Sequence, residues 1–309
     1  MQNAARSQRI LARTLEIGAF DSKRRDSDAP ATRKTRKGRT VVRENAVRSI
    51  WKKGGAAVNG WLGIPSAIAA EGMAQAGWDS LTADLQHGLI DYQTAVSLFQ
   101  AIATTPTIPL ARVPWNEPGI IMKLLDAGAF GIICPMINTR AECEAFVGAC
   151  RYAPAGYRSV GPTRAAWLHG NPVDYVRAAN DTVLTFAMIE TRKAMENLDD
   201  ILSTPGLDAV YVGPADLGLS LGGEPRGDQT DPRIVEAIQS IVKACRKHKI
   251  HAGIHCGSTE YARKAIGWGF QFTTILSDNA LLGNAAKATV NAMREGNATG
   301  ARSSGGSMY

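Results

Sequence analysis

The chain has 309 residues, 45% of them hydrophobic, which is enough for one large core. No run of about 18 consecutive apolar residues occurs, so no membrane span is expected. Five cysteines (Cys134, Cys143, Cys150, Cys245, Cys256) include no C-x-x-C pair. An odd count without that spacing argues against a disulfide framework and a structural zinc site, and it suits a reducing, cytoplasmic location. The net charge of +7 points to nucleic acid only until it is located. Residues 1–43 hold twelve Lys/Arg against four Asp/Glu, or +8, which leaves the rest of the chain at −1.

That basic stretch, with "SKRRDSDAPATRKTRKGRT" at its centre, has few apolar residues and no period, and it reads as a disordered extension. A start codon placed too early, a polyanion-binding arm and a targeting peptide compete to explain it. Glu16, Asp21 and Asp26 count against the targeting peptide, and a dispensable extension is the favoured reading. Residues 296–309 read as a flexible tail, which leaves 44–295 as the folded domain.

Within that domain, apolar strands alternate with helical patterns. Strands are expected at "AVNGWLGI" (57–64), "SLTADL" (80–85), "IPLARV" (108–113) and "GIICPM" (131–136). Helices follow each: "SAIAAEGMAQAG", residues 91–103, residues near 117–127, and "AECEAFVGACRY". The polar stretch "APAGYRSVGPTRAAWLHGNP" then interrupts the rhythm. Four more strands come after it: "VLTFAMIE" (183–190), "AVYVGP" (209–214), "HAGIHC" (251–256) and "FTTILS" (272–277). Continuous apolar strands between amphipathic helices imply a parallel sheet covered by helices. Eight of them predict a (β/α)₈ TIM barrel, with a doubly wound open sheet as the rival. In such a barrel the chemistry sits where the strands end. Asp84, His87, Arg112, Glu190 and Asp216 all fall at those ends.

Glu190 closes a strand with no other ionisable residue, and burying a carboxylate costs several kcal/mol unless it is paired or bound to a cation. A salt bridge to Arg192 or Lys193 is the plain explanation. A metal site shared with Asp216, in "YVGPADLGLSLG", is the sharper one. Two carboxylates without His or Cys suit a hard cation such as Mg²⁺ or Mn²⁺. Arg112 is either a structural ion pair or a fork donor for a carboxylate or enolate oxygen. His87 is either structural or a general base, given its ordinary pKa of about 6.5. His251 and His255 read as core or mouth lining. The cysteines have no base partner, and no strand ends in a lysine that would form a Schiff base.

Taken together, "NGWLGIPS", "ADLQHG", "ARVPWNEP", "KLLDAGAFGIICPM", "RYAPAGYRSVGP", "MIETRKAMENLDDIL" and "VYVGPADLGLSLG" resemble the HpcH/HpaI aldolases over roughly residues 44–295. These are class II pyruvate aldolases. The resemblance implies a TIM barrel of the phosphoenolpyruvate/pyruvate type, a divalent metal ion (Mg²⁺, Mn²⁺ or Co²⁺) and a homohexamer. It implies reversible cleavage of a 4-hydroxy-2-oxo acid to pyruvate, or hydroxypyruvate, and an aldehyde. Glu190 and Asp216 match the metal-binding carboxylates, and the N–H groups of Ala215 and Asp216 match those that hold the substrate carboxylate. Arg112 matches the residue that stabilises the enolate, and His87 the general base. Asp126 matches an aspartate that raises the basicity of that histidine. On the expected layout Asp126 lies at the far end of a helix, so it would act across a subunit interface, with Asp84 as the alternative partner.

Two departures stand out. Gln86 replaces a glutamate before the histidine, and Met188, in the substrate-binding position, replaces a glutamine on the face of Glu190. Metal and enolate chemistry should survive these changes, while substrate preference should not. Arg158, Arg164 and His169 are candidates for an anionic acceptor, or else solvated loop residues. Other enolate chemistry, such as oxaloacetate decarboxylation or a CoA-thioester lyase, is the nearer alternative. A non-catalytic polyanion binder acting through the basic tail is the remote one. No membrane and no nucleic-acid partner is expected for the folded domain.

Overall fold

The computed structural model describes residues 43–298. The expected extension (1–43) and tail (296–309) lie outside the described residues except at their innermost positions. Helix α1 (Ala46–Lys52) precedes β1 (Ala57–Leu62), followed by α2 (Ala67–Gln75), β2 (Ser80–Asp84), α3 (Tyr92–Ile102), β3 (Ile108–Arg112), α4 (Pro118–Asp126) and β4 (Gly131–Cys134). Three helices then come before the next strand: α5 (Arg140–Cys150), α6 (Thr163–Leu168) and α7 (Pro172–Thr182). The second half runs β5 (Leu184–Ile189), α8 (Arg192–Glu196), α9 (Leu198–Leu202), β6 (Ala209–Val212), α10 (Pro214–Ser220), α11 (Pro232–His248), β7 (His251–Cys256), α12 (Thr259–Trp268), β8 (Phe272–Ile275) and α13 (Asp278–Ala298).

Each strand pairs in parallel with its neighbours in sequence, and β8 returns to β1 through Ala57 opposite Phe272. That closure makes the architecture a (β/α)₈ barrel and removes the open-sheet alternative. The strands read as continuous apolar runs because both of their faces are buried. One face packs on the helices, as Leu81, Ile132, Ala187, Val210 and Ile254 do. The other fills the barrel with Leu110, Ile133, Phe186, Met188, Tyr211 and Phe272.

The helices start where the sequence provides caps. Ser66, Asp91, Thr139 and Thr191 each accept a backbone N–H from the first turn, and Thr139 and Glu142 form a reciprocal capping box. Helix α1 plugs the N-terminal end of the barrel. Asn45 Nδ2 donates to the carbonyls of Phe130 (3.1 Å) and Thr182 (3.0 Å), and Trp51 Nε1 donates to Gln271 O (2.8 Å). One end is thereby closed, and any site must open at the other. No helix among the described residues is long and apolar enough to cross a membrane, and all five cysteines are free and buried.

Candidate active site

The C-terminal ends of β1, β2, β3 and β7 and the loop after β8 enclose a cavity of about 480 Å³ lined by Trp61, Asp84, His87, Arg112, His255 and Ser277, among others. Arg112 ends β3 facing inward and forks onto Asp84 of the adjacent strand, Nε to Oδ1 at 2.8 Å and Nη2 to Oδ2 at 2.6 Å. The same carboxylate accepts Trp61 Nε1–H (3.1 Å) and the backbone N–H groups of Gln86 (3.0 Å) and His87 (3.3 Å). Burial opposes ionisation of Asp84, but these donors and the Arg112 charge outweigh it and lower its pKa. The Arg112 guanidinium also lies 4.8 Å from the Trp61 ring. Asp84 thus joins the clamp to the turn that carries His87, whose side chain stays exposed at the mouth.

Glu190 follows β5 and is 3% exposed. Its Oε1 accepts the Met136 N–H at 2.8 Å, and among the described residues no cationic side chain bonds to it. The salt bridge to Arg192 or Lys193, one of the two readings of this carboxylate, is not formed, and both side chains are exposed on α8. Met136 makes its contact from a left-handed backbone (φ 55°), a conformation uncommon for any residue but glycine. Burial, with the nearby Asp216 charge adding to it, raises the Glu190 pKa to about 7 against the opposing effects of the Met136 N–H and Arg112. A Cβ at Gly213 would stand 2.5 Å from Glu190 Oε2 and 3.3 Å from Met188 Cε, so a side chain there would displace the carboxylate. Met188 therefore lies beneath the carboxylate, inside the barrel, as the alternation along β5 implies. Asp216 is exposed in the first turn of α10. The N–H groups of Ala215 and Asp216 have no side-chain cap.

The chemistry of this pair fits a hard cation. One carboxylate is buried without a counter-charge, the second stands close enough to oppose its ionisation, and every side-chain donor is oxygen. Among the described residues no group of three or more His, Cys, Asp or Glu is gathered. The two carboxylates would leave coordination positions to other ligands.

Asp126 is not part of this mouth. It is the last residue of α4, which returns from the mouth to the opposite end, and its Oδ1 accepts Arg158 Nη2 at 2.7 Å. Arg158 is buried against Tyr152 and Tyr175, at 4.5 and 5.5 Å from their rings. Arg164 bonds the carbonyls of Ala127 (2.8 Å) and Phe99 (3.2 Å), and His169 is buried beside Phe130 and Tyr175. Within the chain, then, none of the trio considered for an anionic acceptor is at the mouth; Arg158 and His169 are buried and Arg164 is half-buried. The polar stretch misled because it folds back as α6 and packs against α4 and α7.

The geometry meets its counterpart in known proteins. A family model described as HpcH/HpaI aldolase/citrate lyase matches residues 60–285. The chain belongs to that family. It is 41% identical over 246 residues to a hydroxypyruvate/pyruvate aldolase of Rhizorhabdus wittichii, covering 80% of this chain and 97% of the relative. A 4-hydroxy-2-oxo-heptane-1,7-dioate aldolase of Shigella boydii is 36% identical over 246 residues, covering 79% of this chain and 93% of the other. Among solved structures, an HpcH/HpaI aldolase/citrate lyase family protein from Burkholderia cenocepacia superposes with a TM-score of 0.75 at 30% identity, over 81% of this chain and 99% of that one. As a member of the HpcH/HpaI family the chain is an aldolase, a carbon–carbon lyase.

Sequence reasoning missed Trp61 altogether, while His255 lines the mouth, one of the two places considered for it. Both were visible as inward positions of a strand, Trp61 two residues after Asn59 and His255 four after His251. His251, by contrast, lies at the closed end, stacked on Trp51 at 4.1 Å.

Proposed function

We propose that this aldolase cleaves a 4-hydroxy-2-oxo acid reversibly into pyruvate, or hydroxypyruvate, and an aldehyde, with the two halves of the mouth dividing the work. The observation that carries the reading is the buried, cation-free Glu190 set near Asp216, across the mouth from the Arg112–Asp84 fork. Glu190 and Asp216 would hold a divalent cation such as Mg²⁺, Mn²⁺ or Co²⁺. When bound, that ion supplies Lewis-acid polarisation of the 2-oxo group.

The remaining steps belong to the protein. The N–H groups of Ala215 and Asp216 hold the substrate carboxylate at the start of α10. Met188 makes the wall beneath it apolar, where an amide would offer a hydrogen bond. Arg112, held rigid by Asp84, donates to the oxygen that becomes the enolate. A fixed donor of this kind is worth roughly 10²–10³ in rate. His87 takes the C4 hydroxyl proton as the C3–C4 bond breaks. The electron pair of that bond passes to C3 as the enolate, the C4 oxygen becomes the aldehyde carbonyl, and one proton then returns to C3 to give the pyruvate methyl. In the reverse direction the same imidazole returns the proton.

Asp84 orients the His87 turn from within the chain. Asp126 has one carboxylate oxygen on Arg158 and a side chain 25% exposed. It reaches a histidine only if a second copy of the chain brings it there. A homo-oligomer, of hexamer size, fits both this geometry and the exposed apolar side chains Leu89 and Trp167. The buried free thiols and the near-neutral body fit a cytoplasmic enzyme acting on small molecules, with neither membrane nor nucleic acid as partner. The test is pyruvate release from a panel of 4-hydroxy-2-oxo acids in EDTA and with each metal restored. Metal-dependent release is expected, and its absence with every acid and ion would overturn the reading.

A further inference from the structure

One group at the mouth has no part in that chemistry. His255, on β7, lines the cavity opposite the turn of His87 and packs edge-on against Trp61, ring centroids 5.2 Å apart. Its Nδ1 lies 3.1 Å from the Tyr211 hydroxyl. The hydroxyl also pairs with Thr274 Oγ1 at 2.8 Å, and when it donates there its oxygen faces His255 as the acceptor, which puts the ring proton on Nδ1. The arrangement is anchored below. Thr274 Oγ1 also accepts Asn59 Nδ2 (2.9 Å), and Asn59 Oδ1 accepts the hydroxyls of Ser80 (2.8 Å) and Thr82 (3.1 Å). The two hydroxyl donors leave the Asn59 amide one orientation. Burial, with the Arg112 charge adding to it, lowers the His255 pKa to about 4, so the ring is neutral near pH 7. Nε2 has no protein partner among the described residues, and in that tautomer it keeps its lone pair.

The surrounding wall has no spare charge. Arg112 is the only Lys or Arg among the residues lining this cavity, and Asp84 occupies its fork. The start of α13, where an anion would otherwise be welcome, is taken by Asp278. Its carboxylate accepts the N–H groups of Gly63 (2.9 Å), Ile64 (3.1 Å) and Asn279 (2.7 Å).

We propose that His255 is a specificity-determining residue that accepts a hydrogen bond from a hydroxyl group of the aldehyde, so that the favoured acceptors are uncharged hydroxyaldehydes rather than anionic semialdehydes. Tyr211 is the positioning residue that holds the ring in the required tautomer. The proposal deepens the aldolase reading and rests on it.

The experiment compares aldol addition of pyruvate to glycolaldehyde with addition to acetaldehyde, which lacks only the hydroxyl, and to succinic semialdehyde, in metal-supplied enzyme. His255→Leu is expected to lower kcat/KM for glycolaldehyde about 10-fold, in line with the loss of one hydrogen bond, and to leave acetaldehyde within about 2-fold. His255→Gln, which keeps an acceptor near the Nε2 position, should restore most of the preference. Tyr211→Phe should erode it less than His255→Leu. Nitrogen-15 NMR of the resting enzyme should show His255 protonated at Nδ1 alone. An equal loss with glycolaldehyde and acetaldehyde, an unchanged ratio, a proton on Nε2, or better turnover of succinic semialdehyde than of glycolaldehyde would overturn the proposal. Exchange of the pyruvate methyl protons in D₂O needs no aldehyde and separates the two levels. Intact exchange with an unchanged ratio sinks only the role of His255, whereas a wild-type enzyme that neither exchanges nor condenses sinks both.

Discussion

The two ends of this barrel carry the same device and use it differently. At the mouth, Arg112 forks onto Asp84 and lies 4.8 Å from the Trp61 ring. At the other end, Arg158 bonds Asp126 and lies 4.5 Å from the Tyr152 ring. Each end also holds a histidine whose pKa desolvation lowers to about 4, the half-buried His255 above and the buried His169 below. The surroundings make the difference. His255 has Tyr211 behind it and a cavity in front, whereas His169 is packed between Phe130 and Tyr175 with its Nδ1 unbonded. An arginine–aspartate pair under an aromatic ring is therefore no sign of catalysis by itself. What marks the mouth is the group left over, a buried carboxylate with no counter-ion.

If that leftover carboxylate is the heart of the site, the largest effects come from removing it. Glu190→Gln and Asp216→Asn should each lower pyruvate formation by about 10³-fold or more while the far-ultraviolet circular dichroism stays unchanged. Activity within ten-fold of wild type would place the chemistry elsewhere. Next comes the clamp. Arg112→Lys keeps the charge but loses the fork, and kcat/KM should fall about 10²-fold in steady-state assays.

Asp126→Asn tests whether the two ends meet between copies of the chain. Loss of the carboxylate should lower kcat about ten-fold in steady-state assays. No change would confine Asp126 to its ion pair with Arg158.

The smallest effect is on stability at the closed end. Burial, with Arg43 nearby, lowers the His169 pKa from 6.5 to about 4, so between those values the unfolded chain binds the extra proton. Stability tied to His169 is complete above pH 6.5 and is lost as pH falls towards 4. At pH 5 the loss is about 2 kcal/mol. His169→Phe should remove that part of the acid sensitivity, read as a smaller gap between urea midpoints at pH 7 and pH 5. An unchanged gap would show that the imidazole is hydrated in the folded state.

Most of the architecture was legible because local patterns carry it. Burial on both faces makes each strand a continuous apolar run, and caps such as Asp91 and Thr139 mark where helices start. The stretch after α5 was not legible. Arg158 and His169 look like solvated loop residues until α6 folds them against Tyr175, a contact that no local pattern encodes. Trp61 was missed for a related reason, since an aromatic within an apolar strand looks like core wherever it lies along the barrel.

Local patterns in the amino-acid sequence carried the eight strand–helix units and most of the strand ends at which chemistry sits, because the two-residue alternation and the strand boundaries are written locally. Closure into a barrel was settled only by the pairing of β8 with β1. Only the tertiary structure decided which partners those side chains keep. Asp84 is committed to Arg112, Asp126 to Arg158 and Asp278 to backbone amides, while Glu190 and His255 Nε2 are left open. Pairing depends on distances between strands far apart in the chain, and barrel closure alone sets those distances.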